Sequence, residues 1–158
     1  MPAAPRDRPD IAVFDEIGVI AHLLRETISR RLPPGMAYAH FELLLHFVRD
    51  GDGQTPAQLA RAMMVTKGAI TNTLQRMEAV GHVAVLADVS DGRKKRVRIT
   101  RVGIEAYNDV LKALRGERVA MRSAFTDDEF REVLPFLKAL RAFLEEGDLP
   151  VGLSALPR

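Results

Sequence analysis

Cysteine is absent from the chain. That removes disulfides, thiolate nucleophiles and thiol-based redox sensing together, and it fits a reducing cytoplasm, the expected location. Long apolar runs are absent too. Nothing approaches the roughly 18–20 residues needed to cross a bilayer, so no membrane partner is expected. The opening MPAAPRDRPD has no apolar stretch of the kind a secretory signal requires, and residues 1–10 read as a disordered leader. Net charge is scarce at +2, so bulk charge is weak evidence for any partner. The four histidines, His22, His40, His46 and His82, include no pair at the i, i+4 spacing of a helical zinc site. No Ser/His/Asp grouping and no glycine-rich phosphate loop occur, since Gly51 and Gly53 sit in an ordinary turn. The chain is therefore expected to be no enzyme, with no catalytic residues, no metal and no cofactor.

What remains is an ordinary soluble composition, 47% hydrophobic over 158 residues, enough for one domain or a small domain with a helical extension. The charge is uneven. Residues 88–101 hold six cations against two anions, whereas residues 117–148 hold five against eight. Positive charge thus concentrates where a phosphate backbone could use it.

Periodicity divides the chain into helices around one hairpin. Residues 11–32 place Phe14, Ile17, Ala21, Leu24 and Ile28 on one face, and Pro33-Pro34-Gly35 ends that helix. Residues 37–49 show Phe41, Leu44, Leu45 and Val48 on a face widened by Leu43 and Phe47, as in a helix buried on more than one side. Residues 50–53 form a loop. Thr55, Pro56 and Gln58 make a capping box with proline in the first turn, and Leu59, Ala60 and Met63 should face inward. Thr66 can cap a second short helix running to about Val80, with Ile70, Leu74 and Met77 buried and Gly81 closing it. Lys67, Thr71, Asn72, Gln75 and Glu78 are left to solvent, with Arg76 near the edge. Residues 83–86 and 96–99 read as strands joined by a loop over residues 88–95. Thr100 can cap a long helix to about Ser123, weakened at Gly103 and Gly116. Thr126 and Glu129 form another capping box, and the final helix runs to about Glu146 with Pro135 expected to kink it or delay its start. Its Phe130, Val133, Leu134, Phe136, Leu137, Leu140, Phe143 and Leu144 exceed one stripe and call for a further surface to cover them.

Two short helices followed by a basic hairpin suit duplex DNA. A helix of this length fits the major groove. Thr71, Asn72 and Gln75 are reader types: the amides match the adenine N6/N7 edge, and a threonine methyl can meet a thymine methyl. Gly68 and Ala69 keep the helix start slim, so Thr66 and Lys67 can reach phosphate there. Arg93, Lys94, Lys95 and Arg96 form a cationic hairpin able to enter the minor groove, with Asp91 orienting Arg93 through a charge-assisted pair. The alternatives are a solvated helix face and a charged hairpin that only blunts a sheet edge. A winged protein-interaction module without an operator stays open on the same residues.

The stretch TKGAITNTLQRMEAVGHV followed by DVSDGRKKRVRITRVG resembles the MarR family of bacterial transcriptional regulators. In that family the helix starting here at Thr66 is the recognition helix. The wing pattern Asp-x-x-Asp-x-Arg falls on Asp88, Asp91 and Arg93, and the strand-to-helix pattern on Ile99, Thr100 and Gly103. Two positions depart from it: Asn72 stands where many members have Arg, and Gly92 where the wing often has Arg. The resemblance implies a mainly α winged helix-turn-helix with a small β-hairpin wing at residues 37–103. Residues 11–36 and 104–146 would form a helical dimerisation region, and residues 147–158 a flexible tail. It implies a homodimeric repressor on a palindromic operator in double-stranded DNA. It also implies a small-molecule effector in a cleft that, by position, His22, Met36 and Tyr38 would line. A core or interface role for those three, and a constitutive regulator with no ligand, remain as alternatives.

Overall fold

The computed structural model describes residues 8–146. Among them, seven helices and one antiparallel hairpin follow in order: α1 (Pro9–Ser29), α2 (Tyr38–Asp50), α3 (Pro56–Ala62), α4 (Lys67–Ala79), β1 (Val83–Ala87), β2 (Lys95–Ile99), α5 (Arg101–Ala113), α6 (Arg115–Ala124) and α7 (Asp127–Glu146). The chain divides into two compact units, Met1–Leu114 and Arg115–Arg158. No helix of the described residues is long and apolar enough to cross a membrane.

In the first unit, burial of apolar side chains from five elements makes the core. Leu43, Leu44 and Phe47 of α2 meet Leu59 of α3, Ile70, Leu74 and Met77 of α4, and Val83 and Val97 of the hairpin. A second cluster joins Phe41 to Val110 and Leu114, with Ile28, Leu32 and Met36 against it. Ala106 and Tyr107 of α5 also pack against the first cluster. The hairpin pairs Val83 with Ile99 through Ala87 with Lys95. On its other edge β2 is held by Gly53 and Gln54: the Gly53 N–H donates to the Val97 carbonyl at 2.8 Å and the Val97 N–H to the Gln54 carbonyl at 3.0 Å.

Local capping explains where α3, α4 and α5 begin. Thr55 and Gln58 form the complete capping box, Thr66 accepts the Ala69 N–H, and Thr100 accepts the Gly103 N–H. At the end of α4, Gly81 has φ 76° and a Schellman motif closes: Gly81 N–H donates to the Glu78 carbonyl and His82 N–H to that of Met77.

Several bounds differ from those read in the sequence. Helix α1 opens at Pro9, which suits the first turn, and ends at Ser29 rather than Leu32. Pro9 and Asp10 are thus helical, while the rest of the leader, residues 1–7, and the tail at 147–158 lie outside the described residues. Val48 is exposed, because α2 turns His40, Leu43, Leu44 and Phe47 to the core instead. The helix after Thr100 is interrupted at Leu114, where ψ shifts to 6° just before Gly116, a poor helix former. Pro135 neither delays nor ends α7, whose first turn is fixed by the Thr126–Glu129 box. The strands each extend one residue toward the tip, which moves Lys95 from the loop into β2.

Candidate nucleic-acid interface

The turn between α3 and α4 is tight because Met64 takes a left-handed φ of 53° and the Val65 N–H returns to the Ala60 carbonyl at 3.0 Å. The turn sets α4 so that Ile70, Leu74 and Met77 are buried and Lys67, Gly68, Thr71, Asn72, Gln75 and Arg76 are exposed. A Cβ at Gly68 would meet nothing within 4 Å, so the fold itself does not require that glycine. Asn72, Gln75 and Arg76 make no hydrogen bond or ion pair among the described residues, which leaves their polar atoms available. Thr71 differs: its hydroxyl donates to the Lys67 carbonyl at 2.8 Å. It therefore presents a methyl group outward and not a free donor. Thr66, the N-cap, has its oxygen engaged by Ala69, with the hydroxyl hydrogen still free to rotate.

The wing is organised by Asp88, the first residue of the wing pattern, to which the sequence reading gave no contact of its own. Its buried carboxylate accepts the Ser90 N–H at 2.8 Å, the Ser90 hydroxyl, the Asp91 N–H at 3.2 Å and the Arg96 guanidinium. The Ser90 hydroxyl first, and Arg96 next, hold that carboxyl well below the usual carboxylate range. Arg96 also donates to the Gly53 carbonyl at 3.1 Å. Arg96 is half-buried and fastens the wing to the loop before α3. Arg93 and Lys94 stand at the tip, Arg93 97% exposed, and Lys95 is exposed on β2 with no ion-pair partner among the described residues. Asp91 acts mainly on the backbone, accepting the Arg93 N–H at 3.2 Å. Its carboxylate lies 3.8 Å from the Arg93 Nε and 3.7 Å from the Lys94 Nζ, so it faces both cations loosely.

Two other residues at the site were missed. Asp52 accepts the Ile99 N–H at 2.9 Å and pairs with Arg98 at 3.2 Å. Glu78, exposed as read, also accepts the Val85 N–H at 3.3 Å. The Asp88-x-Ser90 spacing is a recognisable Asx-turn signal. No sequence signal marks the other two, whose contacts depend on the fold.

The three effector candidates have different surroundings. His22 is exposed and lines a shallow groove of about 370 Å³ along α1 with Phe14, Asp15, Gly18, Val19 and Leu23. Met36 packs against both core clusters, and Tyr38 is half-buried beneath the Arg25 guanidinium, 4.6 Å from its ring centre. Burial lowers the pKa of His40 and His82, Arg76 and then His82 adding to the effect at His40. His46 sits between Asp50 at 2.9 Å and Gln54 at 3.2 Å. No cluster of three His or carboxylate side chains suited to a metal occurs among the described residues.

Comparison with known proteins bears on this geometry. A model of the MarR family matches residues 35–94. The transcriptional activatory protein BadR of Rhodopseudomonas palustris is 40% identical over 52 residues, 33% of this chain and 30% of its own length. An HTH-type transcriptional repressor of Mycobacterium tuberculosis is 29% identical over 119 residues, 73% of this chain and 85% of the relative. Among solved structures, a mutant MarR from E. coli complexed with operator DNA superposes with a TM-score of 0.69 at 22% identity, covering 84% of this chain and 96% of that one.

Proposed function

We propose that the chain is a DNA-binding transcriptional regulator of the MarR family, whose model it matches over residues 35–94, and that it acts as a homodimeric repressor of a palindromic operator. One observation carries the assignment of the reading surface. The outer side of α4 presents Asn72, Gln75 and Arg76 without internal partners, beside a wing whose Arg93 and Lys94 are exposed at its tip. Asn72, Gln75 and the Thr71 methyl supply base choice; Thr66, Lys67, Arg93, Lys94 and Lys95 supply phosphate and minor-groove affinity. Members of the family are regulators and not enzymes.

Dimerisation is supported by exposed apolar side chains in both units. Ile11, Phe14, Ile20, Leu23 and Leu24 of α1 are uncovered, as are Val133, Leu134 and Phe136 of α7. Faces of this kind are characteristic of protein interfaces. Repression rather than activation is favoured by the longer match, to the mycobacterial repressor. Electrophoretic mobility shift with the DNA upstream of the protein's own gene, together with light scattering, tests the proposal. Monomeric protein, or no shifted band that survives competitor DNA, refutes it.

Relief by a small-molecule effector completes the proposal; a ligand favouring the DNA-incompetent state would weaken operator binding about 5 to 150-fold. A constitutive regulator is the second reading, favoured by the separate surroundings of His22, Met36 and Tyr38. A thermal-shift screen followed by operator release decides between them.

A further inference from the structure

Glu78 is out of place for a DNA-binding helix. It puts a negative charge on α4, three residues after Gln75 and seven after Thr71, so the three follow one another down one side of the helix. It lies in the last turn, where the helix dipole disfavours an anion. Neither helix stability nor attraction to phosphate explains it.

Its hydrogen bond does. The register pairs Val85 with Val97, whose own N–H and carbonyl point away from β1 to Gln54 and Gly53. In an antiparallel ladder the Val85 N–H then also points outward, unpaired on the open edge of the hairpin. The Glu78 carboxylate takes that N–H at 3.3 Å. The wing is thus gripped on both edges: β2 by Gly53, Gln54, Asp52 and Arg96, and β1 by a side chain of α4 itself. Resting on the proposed reading of α4 and the wing as joint DNA contacts, we propose that Glu78 is a positioning residue. It tethers β1 to α4 so that Thr71 and Gln75 meet base edges at a fixed offset from the cations at the wing tip.

The tether and a plain charge effect predict opposite results. Removing an anion beside DNA should tighten binding whatever replaces it, and alanine should also improve the helix. Losing the tether should weaken binding, and glutamine, which keeps a carbonyl acceptor, should rescue it. The probe is a duplex selected from a random pool by the wild-type protein. Anisotropy titration should show Glu78→Ala about five- to ten-fold weaker, consistent with one hydrogen bond, and Glu78→Gln within about two-fold of wild type. Thermal stability of both variants should be unchanged or raised. The Val85 amide resonance should follow the carboxylate titration in wild type and not in either variant. Equal binding by all three proteins, or tighter binding by both variants, overturns the tether. If both variants are weaker, a displaced Val85 amide supports it and an unmoved one overturns it. Failure of the wild type to select any duplex refutes the operator reading instead, and a Val85 amide that ignores the titration then overturns the hydrogen bond independently.

Discussion

Substituting Gly103 by alanine would ordinarily stabilise a helix, by about 1 kcal/mol. Here the structure predicts the reverse. A Cβ at Gly103 would stand 2.2 Å from the His82 carbonyl oxygen, where 3.0 Å is already tight, so α5 and His82 must separate by at least 0.8 Å. That carbonyl cannot yield freely, because it accepts the Thr100 N–H at 3.0 Å while the Thr100 hydroxyl donates to the Gly81 carbonyl. Overpacking costs about 1–3 kcal/mol, and disturbing the Thr100 cap roughly 1 more. Set against the gain in helix propensity, the net loss is about 1–3 kcal/mol, or roughly 2–12 °C in Tm for a chain of this size. Gly116, where a Cβ would meet nothing within 4 Å, is the control. Gly116→Ala should raise stability by up to about 1 kcal/mol. Thermal and urea unfolding of both variants would measure this. A Gly103→Ala protein as stable as Gly116→Ala would refute the close approach of α5 to His82.

Operator titrations separate the remaining roles. Asn72→Ala should cost about 1–3 kcal/mol, mainly at one base position per half-site, and a uniform loss across operator point mutants would contradict a reading role. Thr71→Val should keep base preference, since the Thr71 hydroxyl is already engaged by Lys67. Arg93→Ala should reduce the salt slope of binding by about 0.9 for each phosphate that is no longer neutralised. Arg96→Ala should instead leave that slope unchanged and lower Tm, because Arg96 binds Asp88 and Gly53. Acid should weaken the fold through His40 and His82, which burial holds neutral below their ordinary value of 6.5. The unfolded chain takes up protons first, so stability should be level above about pH 6.5 and fall as pH drops below it. Urea midpoints that stay flat or rise toward acid would contradict this.

What was legible in the sequence was local. The caps at Thr55, Thr66, Thr100 and Thr126 and the αL glycine at Gly81 each depend on residues within four positions, and each stands where spacing put it. What was illegible depended on distant partners. Arg96 reads as one more wing cation until Asp88 and the carbonyl of Gly53, 43 residues away, come to it. Glu78 is the exposed acid its spacing indicates, and only the hairpin register shows that it also meets an unpaired Val85 N–H. Gly103 reads as a weak point in a helix, and its reason is a carbonyl on a different element.

The most direct measurement is selection of duplexes from a random pool by the wild-type protein, followed by sequencing of the bound fraction. The expected outcome is an enriched palindrome with half-sites about 10–10.5 base pairs apart, centre to centre, one copy of α4 for each. Binding to it should fall by roughly 10³ to 10⁵ between about 50 and 200 mM salt. A pool that stays unenriched while the protein remains folded would contradict sequence reading by α4.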